Sequence, residues 1–172
     1  MVALSNRFKR FRLMPGDSYK LAANILSLFY RPDFSHGPIV LKYTQAGEDN
    51  MPKTETLTGE IVLLAVGVSG KRVYGQGKHV LPGNENVCAI SDMSMWQRLG
   101  LRNMFFRGEH IHHPNTCMCN AHTLRLQFHA PLYFQADGEQ RLLQAQDFPL
   151  QMRIISVPVD YLTVDPACGQ TQ

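Results

Sequence analysis

The sequence predicts a mainly β protein, an antiparallel β-sandwich with two peripheral helices. Three observations predict it: short apolar segments separated by turn residues, alternation of apolar and polar residues in the last third, and two segments with helical spacing. The 172 residues are enough for one domain that buries a hydrophobic core without staples. We expect a single domain over residues 1–172, with its core at about residues 7–166.

Two segments have the apolar spacing of a helix. The first follows Pro15-Gly16-Asp17-Ser18 and is expected over residues 17–29. Arg31-Pro32 should end it, because proline disfavours helical geometry in the residue before it. The second is expected over residues 94–106, where Gly100 weakens the helix and Gly108 should cap its end.

The remaining segments are typical of strands. Residues 39–43 and 60–66 are apolar and bounded by turn residues, and the second run should be a buried strand. Residues 67–86 are rich in glycine and predict loops around short strands. Alternation from Leu124 onward predicts further strands, with Asp137-Gly138 as a turn. These later strands are expected over residues 124–128, 132–136, 150–157 and 161–164.

Charge and cysteine content exclude few function classes. The formal net charge of +3 is too small to predict a partner by itself. Four cysteines without an apolar leader do not predict a disulfide framework, and no apolar run approaches the length of a membrane span. We expect a cytoplasmic protein, with contact at the membrane periphery as a further expectation.

A cluster of histidines and cysteines could hold zinc. Six such residues fall within thirteen positions, but their spacing fits no standard zinc pattern, and cysteine is a common core residue. We therefore expect the cluster to be metal-free. Its members are His110, His112, His113, Cys117, Cys119 and His122.

The densest basic stretch, residues 7–12, interleaves cations with Phe8 and Phe11. It could be a solvated segment facing another domain, a contact with anionic lipid headgroups, or a nucleic-acid site. The first two alternatives fit best, and we expect no nucleic acid. The cations of the proposed membrane contact are Arg7, Lys9, Arg10 and Arg12.

Trp96 lies among several methionines in the second predicted helix. Together with Met93, Met95 and Met104 it could form a flexible apolar surface for acyl chains. Core packing is the more common role for such residues, and we expect it here.

Three stretches are similar in order and spacing to one known family. The first is Lys9-Arg10-Phe11 ahead of the first helix, and the second is the 60–66 strand followed by Tyr74-Gly75-Gln76-Gly77-Lys78 and Pro82. The third contains Gly108-Glu109-His110 and then Gln135-Ala136-Asp137-Gly138-Glu139. Together they resemble the C-terminal domain of the diacylglycerol kinase and sphingosine kinase-like superfamily of bacterial lipid kinases, over residues 7–166.

The resemblance implies a lipid-binding domain of an ATP-dependent lipid kinase that phosphorylates a diacylglycerol- or sphingoid-type hydroxyl. It implies that Glu139 is the catalytic base, whereas spacing alone favours a solvated turn carboxylate at the end of a hairpin. Asp137 is expected to shape the turn. ATP and magnesium would lie mainly on an N-terminal nucleotide-binding domain that these residues do not contain, so the isolated domain should be inactive.

Two departures from the family pattern matter. Residues 67–72 lack the spacing and the Ser/Thr of a phosphate-binding loop. After Pro82, Gly83-Asn84-Glu85-Asn86 stands where the family carries an Asp-Gly pair in a metal-holding loop. The alternative interpretation is therefore a non-catalytic lipid-binding or interaction module that kept the fold.

Overall fold

The computed structural model describes residues 31–46, 51–74, 77–136 and 139–155, which form a mainly β structure. This confirms the predicted fold class. The helix expected over residues 17–29, the basic stretch 7–12 and the strand expected over 161–164 lie outside the described residues. The strands are β1 (Ile39–Ala46), β2 (Pro52–Gly59), β3 (Ile61–Val66), β4 (Arg72–Tyr74), β5 (Lys78–Leu81), β6 (Val87–Ser91), β7 (Thr116–Cys119), β8 (Thr123–Gln127), β9 (Leu132–Ala136), β10 (Glu139–Leu143) and β11 (Leu150–Arg153).

Every pairing among the described strands is antiparallel. A four-stranded sheet has the order β11-β8-β1-β2, and a three-stranded sheet has the order β3-β6-β7. Two hairpins, β4–β5 and β9–β10, complete the described β structure. Short 3-10 helices occur at Phe34–His36, Glu109–His112 and Ala145–Asp147.

The first core lies between the four-stranded and three-stranded sheets, which makes the sandwich. Leu41 on β1 and Leu124 and Leu126 on β8 are buried there, and Val87 and Ala89 come from β6. The alternation in β8 thus has the predicted cause, since its apolar face covers the core and Arg125 is exposed.

The second core lies on the other face of the three-stranded sheet, under helix α1 (Met95–Arg107). Cys88 and Ile90 of β6 pack there with Leu101 of α1 and Leu81 of β5. Because successive side chains of a strand point to opposite faces, β6 contributes to both cores. The three-stranded sheet is therefore a middle layer between the four-stranded sheet and α1.

Helix α1 agrees with the predicted range to within one residue and has defined ends. The Ser94 side chain accepts a hydrogen bond from the Gln97 N–H, and Gln97 Oε1 accepts one from the Ser94 N–H at 3.0 Å. This capping box fixes the first turn. Gly108 ends the helix in the left-handed conformation at φ 73°, as predicted, and its N–H donates to the Met104 carbonyl.

Four strands, β2, β6, β7 and β10, are absent from the sequence-based prediction. β6 is the central strand of the three-stranded sheet, and β2 is an edge strand with exposed Thr54, Thr56 and Thr58. No helix among the described residues is long and apolar enough to cross a membrane.

Candidate functional site

The β9–β10 hairpin carries the predicted catalytic carboxylate. Leu132 pairs with Leu143 at one end of the hairpin, and Ala136 pairs with Glu139 at the other. Leu143 is buried and Leu132 packs against the first core, so that end is anchored. Glu139 stands at the opposite end as the first residue of β10.

The Glu139 side chain is exposed, and no described residue forms a hydrogen bond or ion pair with its carboxylate. The described residues therefore leave Glu139 open to water. Two open concavities on the described surface are lined by other residues, one by Lys42 and Arg125 and one by Arg31 and Glu60. Asp137 and Gly138, the predicted turn, lie outside the described residues.

The glycine-rich segment after β3 packs against the segment after β5. The Gly67 N–H donates to the Asn86 carbonyl and the Lys71 N–H donates to the Gly83 carbonyl, both at 2.8 Å. A Cβ added to Gly70 would lie 2.2 Å from the Gly83 oxygen. These backbone donors are already satisfied within the chain, so they do not fit a phosphate cradle for ATP.

The loop after Pro82 is tied to the start of β8 by Asn86. Its side-chain amide donates to the Ala121 carbonyl at 2.9 Å, and its Oδ1 accepts from the Ala121 N–H at 2.8 Å. Asn86 stands in the segment where the family carries a metal-holding loop, but its oxygen is engaged here by the backbone. Sequence reasoning missed this contact, which joins residues 35 positions apart.

Two of the family-like stretches meet in space. Gly108 packs on Pro82, since a Cβ at Gly108 would lie 2.8 Å from the Pro82 Cβ. His110 follows and its Nε2 lies 3.1 Å from the Val80 carbonyl on β5. Because a carbonyl only accepts, Nε2 carries the proton. The end of α1 is thereby fixed to the end of β5.

The fold does not bring the His/Cys cluster together, since His110 and the two cysteines lie on opposite faces of the three-stranded sheet and His112 and His122 are exposed. His110 is fully buried and stacks on Phe105 with ring centroids 4.3 Å apart, on the α1 side of the three-stranded sheet. Cys117 and Cys119 share the other face of β7 and pack against the first core. Among the described residues, no three His, Cys, Asp or Glu side chains are placed to hold a metal ion.

The buried thiols of this cluster hold their protons more tightly than an exposed cysteine does. Burial raises the pKa of Cys119 to about 11, and burial also raises the pKa of Cys117. A zinc ion would have to displace these protons, because its ligand is the thiolate. The expectation of a metal-free cluster stays a prediction.

The expectation that Trp96 belongs to the core is wrong. Its side chain is 76% exposed, and Met95 on the same helix is 40% exposed. Met93 and Met104 do pack against the second core, as expected. Apolar residues occur on both faces of α1, so the sequence pattern did not distinguish the buried face from the open one.

A network of ion pairs anchors the start of α1. Asp92 accepts hydrogen bonds from Arg98 and from the Met93 N–H, and its other oxygen lies 2.8 Å from the Arg31 guanidinium. Arg31 also pairs with Glu60. No local sequence pattern predicts this cluster, because its members come from separate segments.

No family model matches this sequence, and a search of curated proteins found no match either. The resemblance to lipid kinases therefore stays a prediction that rests on the quoted residues.

Proposed function

We propose that this chain is the lipid-binding, substrate-side domain of an ATP-dependent lipid kinase that phosphorylates a lipid hydroxyl. Two facts support the proposal. The chain has the mainly antiparallel sandwich that the resemblance implies. In addition, the family-like stretches around Pro82 and Gly108 lie against each other instead of being scattered over the surface.

The observation that carries the proposal is the register of the β9–β10 hairpin. Ala136, the last residue of β9, pairs with Glu139, the first residue of β10. Glu139 is therefore held on a strand at the open end of the hairpin. A carboxylate on a strand is better positioned than one on a free loop, because the ladder fixes its backbone.

In the proposed role, a Glu139 oxygen accepts the proton of the lipid hydroxyl. The hydroxyl oxygen forms a bond to the γ-phosphorus of ATP while the bond from that phosphorus to ADP breaks, which gives the lipid phosphate ester and ADP. The proton transfer requires hydrogen-bond reach to the hydroxyl and enough desolvation to raise the basicity of the carboxylate. Since Glu139 is exposed in this chain, the bound lipid or the nucleotide-binding half would have to exclude water from it. ATP and magnesium would bind mainly on that other half.

The test is a lipid phosphorylation assay with Glu139→Gln. The assay uses the natural full-length gene product, or this chain with the nucleotide-binding half added separately. Glutamine keeps the shape but cannot take the proton, and we expect kcat to fall by about 10²–10⁴ with KM nearly unchanged. Glu109→Gln is the matched control, because Glu109 is also an exposed carboxylate and should be dispensable.

Asp137→Asn should retain activity, since asparagine shapes a turn almost as well as aspartate. Near-full activity of Glu139→Gln, or a larger loss for Asp137→Asn, would refute the assignment of Glu139 as the base. If the wild-type preparation phosphorylates no lipid at all, the kinase proposal fails.

A second candidate is a non-catalytic lipid-binding module. The exposure of Glu139 favours it, and so does the engagement of Asn86 by Ala121 in the loop where the family holds a metal. Lipid binding without phosphorylation, in the presence of the nucleotide-binding half, would support this candidate over the kinase.

A further inference from the structure

Helix α1 exposes large apolar side chains on the face turned away from the core. Trp96 is 76% exposed, Phe106 42% and Met95 40%, whereas Leu101 on the opposite side is buried. At 100° per residue these three exposed positions fall on one side of the helix. A Cβ at Gly100 would meet nothing within 4 Å, so this side is also open at its middle.

The same helix is cationic. It contains Arg98, Arg102 and Arg107 and has no aspartate or glutamate. The Arg98 guanidinium forms an ion pair with the Asp92 carboxylate at the start of the helix. Arg107 lies 3.9 Å from Glu109, and both side chains are more than half exposed, so that pair is weak.

Strands β4 and β5, which adjoin α1, add further cationic side chains to those of the helix. β5 packs against α1, and Lys78 lies close enough to Arg102 that, after burial, Arg102 is the next cause lowering the Lys78 pKa. Lys71 and Arg72 are exposed beside the 57% exposed Val73. Neighbouring cations repel each other, and an anionic partner would remove that cost.

We infer that the outer face of α1 and the adjoining strands β4 and β5 form a docking surface for an anionic lipid bilayer. Trp96, Met95 and Phe106 enter the boundary between headgroups and acyl chains, where tryptophan is favoured. Arg102, Arg107 and Lys78 contact the headgroup phosphates. We name this the α1 surface, and its assignment does not depend on catalysis by Glu139.

The chemistry of the α1 surface favours a bilayer over the other anionic partners. Nucleic acid offers phosphates and stacking surfaces, but the exposed aliphatic side chains of Met95 and Val73 would find no partner there. An interfacial site needs both bulky apolar side chains and flanking cations, and α1 supplies both. The exposed apolar side chains of the α1 surface are separated from one another by cations. This arrangement suits shallow insertion of individual side chains into the bilayer while the cations contact the headgroups.

Trp96 is the only tryptophan in the chain, so its fluorescence reports on the α1 surface alone. The experiment titrates the 172-residue chain with vesicles of phosphatidylcholine, with and without phosphatidylglycerol, and follows both emission and co-sedimentation. We expect binding and a blue shift with the anionic vesicles, with much weaker binding to neutral vesicles and at high salt.

Charge variants localise the binding. Arg102→Gln and Arg107→Gln should each weaken binding by about fivefold, the factor expected for one cation near an anionic surface. Lys42→Gln and Arg125→Gln are the matched controls, since both are exposed cations on the outer face of the four-stranded sheet. Phe106→Ser should also weaken binding. Because this variant retains Trp96, its remaining binding can still be followed by Trp96 emission.

Four outcomes would overturn the inference. The first is the absence of co-sedimentation with anionic vesicles. The second is co-sedimentation without a change in Trp96 emission, and the third is an equal loss of binding in the Lys42 and Arg125 variants, because either places the contact elsewhere. The fourth is a vesicle-independent blue shift that follows dimer formation in analytical ultracentrifugation, which assigns the α1 surface to a second copy of the chain. None of these readouts involves phosphorylation, so they are separate from the test of Glu139.

Discussion

The Asn86 side chain forms two hydrogen bonds with the backbone of Ala121, donating to its carbonyl at 2.9 Å and accepting from its N–H at 2.8 Å. Asn86 is buried, so neither backbone group of Ala121 can turn to water instead. This one side chain joins the loop before β6 to the start of β8.

Asn86→Ala should therefore lower the free energy of unfolding by about 2–4 kcal/mol, because it leaves two buried backbone groups without partners. Urea denaturation measures the change. Asn84→Ala, two residues away and exposed, should stay within about 0.5 kcal/mol of the wild type. Equal effects of the two variants would show that the Asn86 hydrogen bonds contribute little.

Two glycines should respond oppositely to replacement by alanine. At Gly70 the new Cβ would lie 2.2 Å from the Gly83 backbone oxygen, so the two loops must separate, at a cost of about 1–3 kcal/mol. At Gly100 the Cβ meets nothing, and alanine in a helix interior should stabilise by about 0.5–1 kcal/mol. Thermal unfolding of both variants tests the pair, and stabilisation by Gly70→Ala would contradict the observed packing.

His110 should make stability fall in mild acid. Burial lowers the pKa of His110 in the folded protein, and the hydrogen bond to Val80 opposes this only in part. Its Nδ1 has no hydrogen-bond partner among the described residues. The unfolded chain therefore takes up a proton first, and stability is lost as the pH falls below the ordinary histidine pKa of about 6.5 towards the lowered folded value.

This loss can amount to at most about 1.4 kcal/mol per pH unit. Urea unfolding between pH 7.5 and pH 5 measures it, and His110→Gln should flatten the profile in that window. His129→Gln, at an exposed position, should leave the profile unchanged. A profile that His110→Gln does not alter would rule out His110 as the cause.

The chain should not bind ATP in a saturable manner. The N–H groups of Gly67 and Lys71 donate to the carbonyls of Asn86 and Gly83, so these two donors of the glycine-rich segment are not available to phosphates. Isothermal titration calorimetry at physiological salt should show no saturable heat. Saturable binding at micromolar ATP would mean that a nucleotide site exists within these 172 residues.

Local patterns predicted the fold well where one face of an element is buried. The alternation of Leu124, Leu126 and Phe128 placed β8 correctly, and Ser94 and Gly108 bounded α1. β6 was not predicted because it is apolar on both faces. Its four consecutive apolar residues, 87–90, show no alternation of apolar and polar side chains that would identify a strand. β2 escaped because it is an exposed edge of threonine and charged residues, which resembles a polar loop.

The site was less predictable than the fold. The position of Glu139 at the start of a strand agrees with the Asp137-Gly138 turn signal in the sequence, but the exposure of its side chain depends on what packs beside β9 and β10. The exposure of Trp96 could not be predicted, since α1 is apolar on both faces. The contacts of Asn86 with Ala121 and of Arg31 with Asp92 join distant segments, so no local pattern contains them.

The position of β6 between the two cores determines how the protein unfolds. Its odd and even side chains fill different cores, and both of its edges are paired, with β3 and with β7. Neither core can open without exposing the same strand, so both should be lost in a single cooperative transition. The amide protons of β6 should then exchange with deuterium only through global unfolding, and their exchange free energy would equal the stability of the whole domain.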